Sequence, residues 1–94
     1  MQPCVNIPHI LPFLKVLSDK NRLKILCFLR DWPKWVCQIA DFLDLPQNLV
    51  SHHLKKLKEA WILDSKRQGV RILYFYNDKE IEGFLQEFEK LFGK

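Results

Sequence analysis

The spacing of apolar residues changes twice along this chain, and this change restricts the possible folds more than any other feature. Up to about residue 60, apolar residues recur every three or four positions, as on one face of an α-helix. Residues 62–76 are instead rich in alternating, β-branched and aromatic residues, and the helical spacing returns from residue 78. The chain is therefore predicted to be mainly α-helical, with a two-stranded β-hairpin before its last helix.

Capping residues and helix breakers predict where the helices begin and end. Asp19 suits the N-cap of a second helix, and Pro46 suits the first position of a fourth. The predicted helices span about residues 9–18, 20–30, 36–43, 47–60 and 78–92, with a hairpin at 62–76 whose turn is at 67–70. A short helix, a tight turn, a longer helix and a basic hairpin together predict a winged helix-turn-helix, in a single domain that spans residues 1–94.

Positive charge is concentrated in the predicted fourth helix and hairpin. The chain has a net charge of +4, and residues 51–77 hold six cations against two anions. Residues 78–94 hold three cations against five anions. The middle of the chain is therefore the part expected to meet a polyanion, although a solvated charged face is the alternative.

The polar face of the fourth helix and the cations of the hairpin are the candidate DNA contacts. In a winged helix-turn-helix the longer helix lies in the major groove, where Gln and Asn side chains can pair with adenine. Lysine, arginine and serine suit phosphate. The candidates are Gln47, Asn48, Ser51, His52, Lys55, Lys56, Lys66, Arg67 and Arg71. A protein-binding module of the same fold is the alternative, but it predicts a neutral helix and hairpin.

Several other classes of protein are not expected. No apolar run approaches the roughly 18–20 residues of a membrane span, and residues 1–12 do not resemble a secretory signal, so a cytoplasmic location is expected. Three cysteines without such a signal favour free thiols over a disulfide framework. A Gly-rich phosphate loop, a nucleophile elbow and a metal-ligand cluster at a known spacing are all missing, so neither an enzyme nor a cofactor needed for folding is expected.

Two segments resemble the ArsR/SmtB family of bacterial and archaeal repressors. They are VLSDKNRLKIL at residues 16–26 and VSHHLKKL at 50–57, and the ILYFY run at 72–76 also matches. The resemblance covers about residues 14–92. The chain departs from the family at Pro46, where a helix-capping Ser is usual, and at Trp61, where Gly is frequent. Trp61 suggests a different exit from the fourth helix or an extra packing contact.

The resemblance implies a homodimer held mainly by the first and last helices. Such a dimer would place two recognition helices about one DNA turn apart on a pseudo-palindromic operator and would repress transcription until an inducer acts. The wide apolar stripe of residues 81–92 independently favours a second copy as partner. The candidate interface residues are Leu11, Leu14, Phe84, Leu85, Phe88, Leu91 and Phe92.

The resemblance leaves the inducer open. Many relatives carry two cysteines at the start of the third helix; Cys37 matches the second, and Trp35 replaces the first. Some relatives add N-terminal cysteines to that site across the dimer, as Cys4 would here. Thiolates select soft ions such as As(III), Cd(II) or Pb(II), but two thiols are few, so Cys27 or another donor would have to join. Residues 78–94 contain no His, so the zinc-type site that some relatives have on the last helix is not expected.

A redox trigger and a ligand-independent repressor are the rival interpretations. Cys27 resembles the second-helix cysteine of persulfide- and oxidant-responsive relatives, but their partner cysteine near the C-terminus is missing, which leaves Cys4 as the substitute. Each cysteine also has a structural interpretation: Cys27 as a small buried hydrophobe, Cys37 as a structural residue and Cys4 as a tail thiol. His52 and His53 point about 100° apart on a helix, so they are not expected to chelate a metal together, and His53 is expected to be structural or a backbone contact.

Overall fold

A computed structural model describes residues 3–93 and contains, within that range, five α-helices and three short strands. In chain order they are α1 (Ile7–Leu17), α2 (Lys20–Leu29), β1 (Lys34–Trp35), α3 (Val36–Leu43), α4 (Gln47–Glu59), β2 (Leu63–Gln68), β3 (Arg71–Tyr76) and α5 (Asp78–Lys90). The predicted fold class, mainly helical with an antiparallel hairpin, is confirmed. Within residues 3–93, no helix is long and apolar enough to cross a membrane.

Side-chain caps fix the starts of the first two helices. Asp19 Oδ1 accepts hydrogen bonds from the backbone N–H groups of Asn21 (2.9 Å) and Arg22 (3.1 Å), as the cap prediction required. Helix α1 starts two residues earlier than predicted because the Asn6 side chain caps it, accepting from the backbone N–H of His9 at 3.3 Å. Pro46 is the N-cap of α4 rather than its first helical residue, and it supplies no side-chain cap.

Helix α4 ends in a left-handed turn built around a tryptophan. Trp61 has φ +67°, its N–H donates to the carbonyl of Lys58 at 3.0 Å, and the next N–H, of Ile62, donates to Leu57 at 3.1 Å. This is the hydrogen-bond pattern of a Schellman motif, in which glycine is preferred because it has no Cβ to clash. The chain thus leaves α4 with the backbone geometry that is usual for glycine, so the predicted change in the exit from the helix is wrong. Trp61 is 64% exposed, so the predicted extra packing contact is wrong as well.

The three strands form one antiparallel sheet in which β3 lies between β1 and β2. Strands β2 and β3 pair from Leu63 with Tyr76 to Gln68 with Arg71, which leaves a turn of only two residues, Gly69 and Val70. The predicted turn at 67–70 was therefore too long. Gly69 has φ +62° at the first central position, which the tight hairpin turn favours. Strand β1 was not predicted, because two residues are too few to show a period.

The core is formed by apolar faces of all five helices packed on the sheet. Its fully buried members are Ile25, Ile39, Val50, Leu54, Leu57 and Leu63. At the other end of the molecule, α1 packs on α5 through the stacked rings of Phe13 and Phe84, whose centroids are 4.6 Å apart. Phe84 is only 6% exposed, so its prediction as an interface residue is corrected: it is a core residue of the single chain.

Candidate nucleic-acid interface

Helix α4 presents its polar residues to solvent because all of its apolar residues except the exposed Leu49 are buried in the core. Val50, Leu54 and Leu57 have no exposed surface. The six predicted DNA contacts on this helix are exposed: Gln47, Asn48, Ser51, His52, Lys55 and Lys56. Three of the six lie in the first five residues of the helix, where backbone N–H groups and the helix dipole also favour an anion.

His53 faces away from this surface and helps to hold α4 on α2. It is buried, and its Nδ1 accepts a hydrogen bond from Nε of Arg22 at 3.3 Å. Arg22 also donates from Nη1 to the carbonyl of Val16 at 3.2 Å, and Asp19 Oδ1 lies 4.0 Å from His53 Nδ1. The interpretation of His53 as structural agrees with this position, and its partner is an arginine side chain.

The pKa of Asp19 is lowered by the same surroundings. The largest cause is the backbone N–H of Arg22, which donates to the charged carboxylate; partial burial opposes the shift, and the nearby His53 adds to it. The Asp19 carboxylate thus stabilises the start of α2 and also lies close to His53, on the buried side of α4.

The hairpin carries the three remaining predicted contacts, and all three are exposed: Lys66, Arg67 and Arg71. Lys66 and Arg67 lie in β2 and Arg71 begins β3, so all three project from strands rather than from a loose turn. A side-chain hydrogen bond joins this hairpin (β2 and β3, the wing) to α4, since Lys58 Nζ donates to Ser65 Oγ at 2.7 Å. Together with the packing of β2 on α4, this hydrogen bond holds the wing beside α4.

A cleft between α4 and the wing brings together three of the nine predicted contacts, Gln47, Ser51 and Arg71, and the other six lie outside it. Its lining residues come from the start of α3, the start of α4 and the wing: Trp35, Val36, Cys37, Gln47, Ser51, Val70, Arg71 and Ile72. On its wall, Cζ of Arg71 lies 4.1 Å from the ring centroid of Trp35. This contact could not be predicted from the sequence, because it depends on strand β1, which places Trp35 opposite Leu73 of β3.

All three cysteines are exposed, which excludes the interpretation of Cys27 as a small buried hydrophobe. Cys37 lies in the cleft between α4 and the wing, whereas Cys27 borders a different depression, beside Leu23 and Phe42. Cys4 precedes α1. Among residues 3–93, no three His, Cys, Asp or Glu side chains of one chain are grouped as metal ligands.

The face formed by α1 and α5 differs in character from the cleft. It exposes four of the seven predicted interface residues, Leu11, Leu85, Leu91 and Phe92, while Leu14 and Phe88 are half-buried. The prediction placed Leu91 and Phe92 within the last helix, but α5 ends at Lys90 and both residues follow it. The start of the described chain is fastened to this face, since the backbone N–H of Asn6 donates to Glu87 Oε2 at 2.9 Å. That bond, more than the ion pair with Lys90, lowers the pKa of Glu87.

Comparison with known proteins agrees with this geometry. A family model described as "Bacterial regulatory protein, arsR family" matches residues 19–65, from the cap of α2 into β2. The cadmium resistance transcriptional regulatory protein CadC of Listeria innocua is 35% identical over 80 residues, which are 84% of this chain and 67% of CadC. The chain belongs to the ArsR family. Another relative, the arsenical resistance operon repressor of Bacillus subtilis, is 34% identical over a stretch that covers 78% of this chain and 70% of the repressor.

Solved structures of ArsR-type regulators share the fold. An ArsR-like transcriptional regulator from Rhodococcus sp. RHA1 superposes with a TM-score of 0.79 at 21% identity, over 92% of this chain and 81% of that one. A homodimeric winged helix-turn-helix DNA-binding domain from Mycobacterium bovis gives a TM-score of 0.74 at 23% identity, over 85% and 75% of the two chains. This ArsR-family chain is thus a DNA-binding transcriptional regulator and not an enzyme, as the sequence predicted.

Proposed function

We propose that this ArsR-family protein is a homodimeric repressor that holds a pseudo-palindromic operator between α4 and the wing of each protomer. The observation that carries the proposal is the cleft in which Gln47 and Ser51 of α4 face Arg71 of the wing. Gln47, which can read a base, and Arg71, which can bind a phosphate, therefore line the same cleft. A helix inserted into the major groove needs both kinds of contact, because the DNA backbone runs beside the base edges.

The second protomer is proposed from the α1–α5 face. This face exposes large apolar side chains at Leu11, Leu85, Leu91 and Phe92, and burial of apolar surface is the main driving force of stable association. Residues 78–94 also have a net charge of −2, so the face suits neither DNA nor another polyanion. The homodimer described for the structurally similar M. bovis domain supports a second copy of the chain as the partner.

A thiophilic ion is proposed as the inducer. The support is the position of Cys37, an exposed thiol on the wall of the cleft, together with the cadmium and arsenical resistance roles in the names of two relatives. As(III), Cd(II) or Pb(II) would bind Cys37 with Cys4 of the second protomer, and Cys27 or a further donor would complete the set. Bound in the cleft, such an ion would compete with DNA for the same surface.

Fluorescence anisotropy of the reduced protein on the DNA upstream of its own gene tests the DNA assignment. Affinity should fall steeply with salt, because lysine and arginine contacts to phosphate release counterions. Binding that hardly changes with salt would instead favour a surface for a protein partner.

An anaerobic titration with Cd(II) or arsenite then tests the inducer. Release of DNA by the wild type, but not by Cys37→Ser or Cys4→Ser, supports the thiophilic ion, and the response of Cys27→Ser shows whether Cys27 is the third donor. Release only by an oxidant or a persulfide, and loss of that response in Cys27→Ser, would replace it with the redox trigger, which the exposure of Cys27 permits. If neither treatment releases the DNA, repression is independent of the cysteines.

A further inference from the structure

Trp35 occupies a position that is fixed from two sides. As the second residue of β1 it pairs with Leu73 of the central strand. Its backbone N–H donates to Oε1 of Gln38 at 2.8 Å, which closes the first turn of α3. Both interactions use the backbone of Trp35, so they hold this position beside β3 whichever side chain it carries.

The ring is in contact with the guanidinium of Arg71, whose Cζ lies 4.1 Å from the ring centroid. A guanidinium that lies on an aromatic face is attracted to it, and its N–H donors, which lie in the guanidinium plane, stay free to bind an anion. Arg71 is exposed at the start of β3, beside the fully exposed Val70, so little else limits its rotamers. The ring therefore selects one orientation from several.

That orientation directs Arg71 into the cleft that it shares with Gln47 and Ser51. An arginine already held beside the start of the recognition helix loses less rotamer freedom when it binds a phosphate there. We propose that Trp35 is a positioning residue for DNA binding, which holds Arg71 against its ring so that the guanidinium meets a phosphate of the duplex next to α4. This inference rests on the proposed function, since it requires Arg71 to contact DNA.

A double-mutant cycle between Trp35→Leu and Arg71→Gln tests the inference, with affinity for the upstream duplex measured over a range of salt. Arg71→Gln should weaken binding and reduce the salt slope by about one per protomer. Trp35→Leu should weaken binding about two- to fivefold per protomer, the range expected of an exposed cation–π contact. In the Arg71→Gln background, Trp35→Leu should have no further effect.

The outcomes separate this inference from the proposed function. If Arg71→Gln changes neither affinity nor salt slope, the assignment of Arg71 to DNA fails, and the inference fails with it. If Arg71→Gln weakens binding while Trp35→Leu has no effect, or has an equal effect in both backgrounds, only the positioning role is overturned.

Two further variants guard against a purely structural effect. Gln38→Ala removes the side-chain bond at the start of α3 but leaves the ring on Arg71, so it should lower the unfolding temperature without coupling to Arg71→Gln. Trp35→Phe keeps an aromatic face, so it should restore most of the affinity lost in Trp35→Leu. If Trp35→Leu does not fold, the cycle is run with Trp35→Phe and Arg71→Gln instead. The effects of these two variants on affinity should still be coupled, though less strongly.

Discussion

The α4–wing face and the α1–α5 face expose opposite kinds of residue on one small chain. Helix α4 and the wing carry the nine polar and basic candidates for DNA binding, all of them exposed, although the neighbours Lys66 and Arg67 project to opposite sides of β2. The α1–α5 face exposes leucines and a phenylalanine, and its α5 part lies in an acidic segment, residues 78–94. The two surfaces therefore suit different partners, a polyanion on one side and a second apolar face on the other.

The largest effect is expected when a charge is placed on the α1–α5 face. Leu85→Asp should yield a monomer, because an aspartate in an apolar interface would have to lose its hydration. DNA affinity should then fall by about 10²–10⁴-fold, because the two half-sites are no longer bound together. Sedimentation measures the oligomeric state, and anisotropy measures the affinity.

Leu23→Asp is the matched control for that variant. Leu23 and Leu85 are both 49% exposed, but Leu23 lies on α2 and belongs to neither face. The control should remain a dimer and bind DNA normally. If both variants dissociate, or neither does, the α1–α5 face is not the dimer interface, and the assignment of a second protomer to this face is wrong.

The next effect separates base contacts from phosphate contacts within the α4–wing face. Gln47→Ala should lose about 1–3 kcal/mol of discrimination at one base pair in each half-site, while binding to unrelated DNA stays the same. Arg67→Ala should instead weaken binding to every duplex and reduce the salt slope. Binding to a panel of operators with single base-pair changes distinguishes the two. Equal behaviour of the two variants would mean that α4 does not read bases.

A smaller effect concerns the support beneath α4 rather than its surface. Asp19→Ala should cost about 1 kcal/mol of stability near neutral pH, since it removes the cap of α2. Because the pKa of Asp19 is lowered in the folded protein, its contribution is complete above the unfolded pKa, about 3.9, and is lost as the pH falls through the lower folded value.

Chemical denaturation at several pH values measures this loss. Asp19→Asn is the control, because an amide oxygen can still accept the capping hydrogen bonds but carries no charge. The difference between wild type and Asp19→Asn should shrink towards acid pH. A difference that stays constant with pH would show that the carboxylate charge contributes nothing.

The smallest effect is a gain in stability at the junction between α4 and the wing. A non-glycine residue in the left-handed region costs about 1–2 kcal/mol, and Trp61 has φ +67°. Trp61→Gly should raise the free energy of unfolding by up to about 1 kcal/mol, since the added freedom of glycine in the unfolded chain offsets part of the relief. Trp61→Ala keeps a Cβ and should gain nothing. Calorimetry tests both, and oligomeric state should not change.

The sequence was sufficient for the helices and the hairpin, because the helical period, the Asp19 cap and the β-rich run at 72–76 are local features. It was sufficient for the exposure of the α4 candidates too, since Val50, Leu54 and Leu57 define the buried side. It was insufficient wherever the answer depends on a contact distant in sequence. The pairing of β1 with β3 and the burial of Phe84 against Phe13 are of this kind.

The cysteines were the part of the site that the sequence described least well. Apolar neighbours on either side of Cys27 favoured burial, but the side chain lies on the outer side of α2. Trp35, two residues before Cys37, had been considered only as a replacement for a cysteine, but its ring contacts Arg71 of the wing. A period or a motif reports which residues share a helix face, but not what covers that face.

The two-residue strand β1 also affects how the wing meets its duplex. A lone two-stranded hairpin is only marginally stable in water, so it would still have to become ordered when DNA arrives. Here β1 adds a third strand, and the entropy of ordering the wing is lost during folding instead of during binding. The strand also joins the wing directly to the start of α3, so Cys37 and the wing are parts of one connected wall of the cleft.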